Sequence, residues 1–193
     1  MKKSIFGVAL ALSVGAVGAQ TYIGAAIGSG KYNSGCGGIE SCDMSDTVLK
    51  LYAGQRVNNW LNAEAAYIRF GEGYVEGTGV VDGVTISGRA SQRAQALALM
   101  AAFRHEFVSG LEGVARIGAA VVHGKVSVSG TANGVPVSGT RSETALRPYV
   151  GLGLAYNFMP KLKATLDYDR TSMTVDDENE SVQSFMVGVS YQY

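Results

Sequence analysis

The chain has 193 residues, of which 47% are hydrophobic and 17% are charged. Its 16 Lys and Arg residues are matched by 16 Asp and Glu residues, so the charge balance gives no reason to expect nucleic acid as a partner. The longest uncharged apolar run after the N-terminal segment, residues 96–103, is far shorter than the ~18 residues of a membrane helix.

The N-terminal segment has the features of a secretory signal peptide. Lys2 and Lys3 give a positive start, an apolar run extends from Ile5 to about Val17, and Ala19 completes a small-residue cleavage site. The run is short for a membrane anchor and has no basic stop-transfer flank. We therefore predict a signal peptide over residues 1–19 and an exported domain over residues 20–193.

Eight segments of the exported part alternate apolar residues with small or polar residues, which is the two-residue period of a strand. The last segment shows it most clearly, with Phe185, Val187 and Val189 on one parity. One stretch, residues 89–107, is rich in helix formers, but its alternation and its place between two strands favour a strand. The segments are 21–31, 47–57, 61–70, the stretch ending at 103, 111–123, 147–158, 161–170 and 182–193.

The connections between these segments are of two kinds. Three are short turns at residues 58–59, 109–110 and 159–160, and four are long, at about 32–46, 71–88, 124–141 and 171–181. Short turns at one end and long loops at the other are typical of outer-membrane barrels, with the short turns in the periplasm. Asp82-Gly83 and Asn133-Gly134 are hairpin signals within two of the long loops, so we expect a protruding sheet there. Pro136 indicates an edge strand.

These patterns predict an all-β fold, an eight-stranded antiparallel up-and-down transmembrane β-barrel. The segments 21–28, 54–64 and 148–168 resemble the OmpA-like eight-stranded outer-membrane barrels. The resemblance implies the outer membrane of a Gram-negative bacterium, with lipid and lipopolysaccharide as surroundings. Family members that carry a peptidoglycan-binding domain have it after the last strand, so we expect that function to be absent. A soluble lipocalin-like barrel is the rival fold, and it would place apolar residues inside.

Charged residues on the inward parity should form a lumen network. An inward Glu on the third strand and an inward Arg on the fifth are features of similar barrels, and Glu64 and Arg116 match them. Ala155 and Thr165 replace two other charged positions, so the family's full pairing scheme is not expected. We expect a salt-bridged plug, with a small, weakly anion-preferring pore as the alternative. The network comprises Lys50, Arg56, Glu64, Arg104, Glu112, Arg116, Lys163 and Asp167, and Arg147 and Asp169 share its parity.

Two further groups have structural roles in this prediction. Cys36 and Cys42 are six residues apart in an exported chain, which favours a disulfide over a metal site. Aromatic residues near the short turns and the C-terminus should lie at the membrane interface. They are Trp60, Phe158, Tyr191 and Tyr193.

Candidate reactive residues are few. His105 lies beside Glu106 near a short turn, and His123 has Ser127 as its nearest serine, without a spacing that specifies a catalytic pair. Residues 176–180 are acidic enough to suggest calcium, although such a run is more often a solvated loop tip. We predict no catalytic, cofactor or metal site. Arg89 and Arg93 are placed to meet lipopolysaccharide phosphates.

The sequence leaves two functions to compare. One is a structural or adhesion-type role, in which extracellular loops bind a host or surface ligand. The other is transport of ions or small solutes, or catalysis of the kind seen in lipid A-modifying and proteolytic outer-membrane enzymes. We favour the first, for a monomer.

Overall fold

Eight strands of the described part of the chain close into one ring. The computed structural model describes residues 20–32, 41–81, 84–132, 134–175 and 178–193. Within these residues no helix is long and apolar enough to cross a membrane. The strands are β1 (Thr21–Tyr32), β2 (Ser41–Asp43), β3 (Ser45–Arg56), β4 (Leu61–Val81), β5 (Val84–Val108), β6 (Leu111–Ala132), β7 (Val135–Met159), β8 (Leu162–Val175) and β9 (Glu178–Gln192).

The ring follows the chain order β1, β3, β4, β5, β6, β7, β8, β9, and each neighbouring pair is antiparallel. It closes where β9 pairs with β1, from Tyr22 opposite Gln192 to Tyr32 opposite Val182. The short strand β2 lies outside the ring and pairs with β4. The predicted eight-stranded antiparallel barrel is confirmed, and residues 89–107 are strand rather than helix.

The alternation of side chains separates an apolar outside from an inside that holds the buried charges. Leu51 and Leu99 point outward and are 60% and 65% exposed, whereas Lys50 and Glu64 point inward and are almost fully buried. In water this arrangement would expose a continuous apolar belt, but in lipid it places the apolar residues in their preferred solvent. The polarity is opposite to that of a soluble barrel, so the lipocalin-like alternative is wrong.

The strands differ strongly in length, and this shapes one end of the barrel. β4, β5, β6 and β7 have 21 to 25 residues, while the other four ring strands have 12 to 15. Their extra residues stay paired up to Val81 opposite Val84 and Ala132 opposite Val135. The expected protruding sheet is therefore confirmed. The boundaries predicted for the long loops at 71–88 and 124–141 were wrong, because these residues are mostly strand.

We call this four-stranded extension the protruding sheet; it comprises residues 72–81, 84–93, 124–132 and 135–143. Asp82, Gly83 and Asn133, which belong to the expected hairpin turns, lie outside the described residues. The predicted signal peptide at residues 1–19 and the loop at 33–40 also lie outside them.

A bulge in β4 marks the point where the protruding sheet leaves the ring. Between Arg69 and Glu72 the register to β5 shifts by one residue, and Gly71 has a φ of +71°. The Asp46 carboxylate accepts the Glu72 N–H at 2.8 Å, which satisfies a backbone group that the bulge frees from the ladder. The shift reverses the facing of β4, so Glu72 points outward where an unbroken alternation would turn it inward.

Candidate functional site

A charged network fills the lumen toward the end with the short turns. The Glu64 carboxylate is its centre: Arg116 Nε lies 2.7 Å from one oxygen and Arg104 Nη2 lies 3.0 Å from the other. The Tyr22 hydroxyl donates a hydrogen bond to the same carboxylate. Glu64 belongs to β4, Arg104 to β5 and Arg116 to β6, so the ion pairs join three neighbouring strands across the interior.

The network continues to the opposite wall of the barrel. Arg116 Nη1 lies 2.5 Å from Asp167 Oδ1 on β8, and Arg104 Nη1 lies 3.3 Å from Glu112 Oε2 on β6. Glu112 is in turn paired with Lys163 on β8. Ion pairs therefore form one continuous chain from Lys163 through Glu112, Arg104, Glu64 and Arg116 to Asp167.

A second ion pair lies further along the lumen, away from the end with the short turns. Lys50 Nζ on β3 lies 2.6 Å from Asp169 Oδ2 on β8, and both side chains have no exposed surface. The Lys50 ammonium is also 5.5 Å from the ring centre of Tyr52 and 6.0 Å from that of Tyr149. Charge pairing and aromatic faces together compensate part of the cost of burying the ammonium group.

Two predicted cations lie apart from these pairs. Arg56 is exposed at the short-turn end, where its Nη1 lies 2.6 Å from Gln20 Oε1. Arg147 is partly buried further along the lumen, and its Nε has no hydrogen-bond partner among the described residues. The ion-paired lumen side chains described above are four cations and four anions, so their charges cancel.

An apolar cap closes the other end of the lumen. Tyr32, Val48, Phe70, Met173 and Val182 are almost fully buried there and belong to one hydrophobic cluster. This cap was not predicted from the sequence. All five residues have the inward parity of their strands once β1 and β8 are extended to their full length, so extended alternation was the signal that could have shown it.

Little empty volume remains between the charged layer and the mouth of the lumen at the short-turn end, as expected for a lumen plugged by side chains. A cavity of about 20 Å³ lies among Gln20, Tyr22, Asn62, Arg104 and Lys163. A space of this size holds roughly one water molecule. The arrangement can hold the barrel wall together by charge pairing, but it leaves little room for a solute.

The predicted interface aromatics lie on the outer surface at the short-turn end. Trp60 is 55% exposed and stacks on Phe103 at 5.8 Å between ring centres. Tyr191 and Tyr193 contact each other edge to face at 5.2 Å, and Phe158 is 44% exposed nearby on β7. Exposed aromatic rings at this position match the belt that barrels present to a membrane interface.

The outward face of the protruding sheet is polar. Arg93 on β5 is held by Glu72 on β4, and Arg89 Nη1 lies 3.1 Å from Glu76 Oε1. Hydrogen bonds from Arg93 lower the pKa of Glu72. Arg89 and Arg93, expected to meet phosphates, are therefore each engaged by a carboxylate. Hydroxyl side chains dominate the rest of this face: Ser91, Ser127, Ser129, Ser138, Thr140 and Ser142.

The inward face of the same sheet is open and apolar toward its tip, whereas polar residues of β5 and β7 share this parity nearer the barrel. Val128, Val135 and Val137 are 49%, 63% and 48% exposed. Their cross-strand neighbours include Gly130 and Gly139, and nothing lies within 4 Å of a side chain that would be added at Gly139. The valines are therefore accessible from the space above the barrel.

One edge of the protruding sheet has no strand beside it among the described residues. β7 pairs with β6 from Val135 to Tyr156, but with β8 only from Val150 onward. Residues 137–147 of β7 therefore present backbone N–H and C=O groups along an open edge. Pro136, at the tip, has no N–H to offer, as the sequence indicated.

The candidate reactive residues do not assemble into a site in the described part of the chain. His123 Nδ1 lies 2.8 Å from Thr144 Oγ1, whereas Ser127 Oγ accepts a hydrogen bond from Thr140. The His105 ring is exposed and packs against Phe107. The described residues contain no group of three or more potential metal ligands. Cys36 and the acidic residues 176–177 lie outside the described residues, as does the side chain of Cys42.

Comparisons with known proteins agree with this architecture. The OmpA-like transmembrane domain family matches residues 17–193. Neisserial surface protein A is 14% identical, with a TM-score of 0.61 over 92% of this chain and 100% of that one. Ail of Yersinia pestis, in complex with the heparin analogue sucrose octasulfate, is 20% identical, with a TM-score of 0.51 over 91% and 97%. The N-terminal β-barrel domain of Pseudomonas aeruginosa OprF is 14% identical, with a TM-score of 0.54 over 90% and 97%.

The comparison with curated protein sequences found no match. At these low identities the solved structures establish the fold alone, whereas the family match extends over nearly the whole chain. Together with the apolar belt, the match places the protein in the outer membrane of a Gram-negative bacterium. The chain belongs to the OmpA-like transmembrane domain family.

Proposed function

We propose that the protein is an adhesion-type surface protein whose barrel anchors the protruding sheet, and that the sheet binds an extracellular ligand. The open β7 edge is the observation that carries this proposal. An extended partner strand that pairs with residues 137–147 would gain backbone hydrogen bonds along the edge. Val137, at the start of that edge, and the nearby Val135 would supply apolar contacts on the inward face.

The rest of the molecule supports a role outside the membrane. Four of the eight ring strands continue beyond the barrel, and they remain paired, so the structure holds an edge and two faces at a distance from the lipid. Neisserial surface protein A and Ail, whose names describe a surface protein and an attachment invasion locus protein, share this fold. We infer a host or surface ligand, and a monomeric protein that uses no cofactor.

The transport alternative is disfavoured by the lumen. Ion-paired side chains fill the part of the lumen near the short turns, and Phe70 and its neighbours close the opposite end. We expect the barrel to give no steady conductance in planar lipid bilayers. Phe70→Ala alone should leave the baseline unchanged because the charged layer remains, and Arg116→Ala alone should also do so because the cap remains. Steady conductance by the unmodified barrel would instead favour a pore.

Attachment of bacteria to cultured epithelial cells tests the adhesion proposal. A non-adherent strain would express the wild type or a variant in which residues 125–142 are replaced by Asn-Gly, which preserves the pair Gly124–Glu143. We expect the truncated variant to attach no better than cells without the protein. The control shortens the β8–β9 hairpin at residues 174–179 and should attach like the wild type.

Heat-dependent gel mobility would show that each variant still folds as a closed barrel. Proline substitution then tests the edge itself. Neighbouring residues of a strand direct their N–H groups to opposite sides. Of the variants Gly139→Pro and Thr140→Pro, therefore, only one removes an N–H group that the open edge would offer to a partner strand. Attachment by the truncated variant at the wild-type level would show that the protruding sheet is not the binding surface.

A further inference from the structure

Two tyrosines at the extracellular end of the apolar belt make the same hydrogen bond on opposite sides of the barrel. The Tyr67 hydroxyl on β4 donates to Gln95 Oε1 on β5 at 3.1 Å. The Tyr168 hydroxyl on β8 donates to Gln183 Oε1 on β9, also at 3.1 Å. In the ring, β4 and β8 are four strands apart, so the two hydrogen bonds are related by half a turn of the barrel.

Each glutamine lies directly opposite one basic residue on either neighbouring strand. Directly opposite residues have Cβ atoms about 5 Å apart, so each set of three side chains spans about 10 Å of the outer surface. All six residues have the outward parity of their strands. The two sets are Arg69, Gln95 and His123, which we call the Gln95 cluster, and Arg170, Gln183 and Lys31, which we call the Gln183 cluster.

The groups that these clusters present are predominantly hydrogen-bond donors. Because the glutamine oxygen accepts the tyrosine proton, the amide Nε2 keeps both of its N–H groups for another partner. Arg and Lys side chains can only donate. No carboxylate of the described residues is ion-paired with Arg69, Arg170 or Lys31, and the nearby acid Glu72 is engaged by Arg93. Adjacent donors of this kind, with a net positive charge, form a cradle for an anion.

The position of the clusters indicates which anion they meet. Arg69 and Arg170 each follow the belt tyrosine by two residues, which is about 6.6 Å along a strand. The outward residues change from apolar to polar at this level, as from Val121 to His123 on β6, so we place the lipid headgroups here, directly above the hydrocarbon layer. We propose that each cluster binds a phosphate group of a lipid A molecule in the outer leaflet, with the acyl chains of the lipid against the apolar belt below. The barrel then carries two such lipids on opposite sides.

Native mass spectrometry of the detergent-folded mature barrel with diphosphoryl lipid A tests this proposal. The wild type should carry two lipid A molecules. The pair Arg69→Gln and His123→Gln should leave one, the pair Lys31→Gln and Arg170→Gln should leave one, and the four substitutions together should leave none. We expect each altered cluster to lose about tenfold or more in affinity, as when charged hydrogen bonds are removed.

Arg89→Gln is the matched control. Arg89 is an outward-facing cation of the same surface, but Glu76 already engages it, so this variant should retain two lipid A molecules. Tyr67→Phe should weaken the Gln95 cluster alone, because the amide loses the hydrogen bond that orients it. An identical lipid count in the wild type and the fourfold variant, with both folded by gel mobility, would overturn the proposal.

Two further probes separate the sources of phosphate. Lipid A without phosphate groups should bind the wild type and the fourfold variant equally, because the clusters recognise the phosphate. Millimolar inorganic phosphate should leave both lipid A molecules in place, because the acyl chains add contacts that the free ion lacks. Displacement of both lipids by inorganic phosphate would show that the clusters are sites for the free ion, and the lipid proposal would be wrong.

Discussion

The lower and upper parts of β6 and β7 are continuous strands, yet their side chains follow opposite rules. Within the membrane the inward residues include charged ones, such as Arg116, and the outward residues are apolar, as Ile117 and Leu152 are. Beyond the membrane the outward residues are hydroxyls such as Ser129, and the inward ones include Val128 and Val137. The two-residue period is unchanged. The solvent around each part of the strand, lipid or water, decides which of the two alternating sets of side chains is polar.

The two regions should respond very differently to loss of an ion pair. Asp169→Leu leaves the Lys50 ammonium buried without its partner, and we expect the free energy of unfolding to fall by about 3–5 kcal/mol. Arg93→Gln breaks an exposed pair on the protruding sheet and should cost about 1 kcal/mol or less. Urea-induced unfolding in detergent micelles measures both.

A double variant sharpens this contrast. Lys50→Met combined with Asp169→Leu removes both buried charges, so it should recover much of the stability lost by Asp169→Leu alone. If Asp169→Leu costs no more than Arg93→Gln, the lumen pair is hydrated like a surface pair and the two regions do not differ in the strength of their ion pairs.

The bulge that joins the two regions should be the next most sensitive point. Gly71→Ala places a side chain at a φ of +71°, with its Cβ 2.7 Å from the Asp46 side chain. We expect a loss of about 1–3 kcal/mol in the same unfolding measurement. Gly134→Ala shares the positive φ but meets no neighbour within 4 Å, so its cost should be smaller. Gly139→Ala has neither feature and should be close to neutral.

The smallest effect concerns the pH response of the protruding sheet. Hydrogen bonds from Arg93 lower the pKa of Glu72 below its ordinary value, so the contact stabilises the folded state above the pKa of the unfolded chain. That stabilisation is lost as the pH falls through the lower, folded-state pKa. Carboxyl carbon NMR should show a low titration midpoint for Glu72 that rises in Arg93→Gln. An unchanged midpoint would mean that Arg93 does not set the charge of Glu72.

Much of the ring could be predicted from alternation because lipid demands one apolar parity on every membrane-spanning strand. The protruding sheet was harder to delimit, because Ser, Thr and Gly on both parities look like loop residues. The pairing of Arg116 with Asp167 and of Lys50 with Asp169 could not be predicted, because these strands are not neighbours in the ring. The glycine at position 71 was a usable sign of the bulge.

The unequal strand lengths give the molecule a front and a back in the plane of the membrane. The protruding sheet rises over one half of the ring, and the half formed by β8, β9, β1 and β3 stays low. A bulky molecule that approaches from the low side meets the valine face and the β7 edge, while one from the other side meets the hydroxyl face. Rotation of the barrel about its own axis therefore decides which of these surfaces faces a given neighbour. A crowded membrane that hinders this rotation would keep one surface turned toward that neighbour.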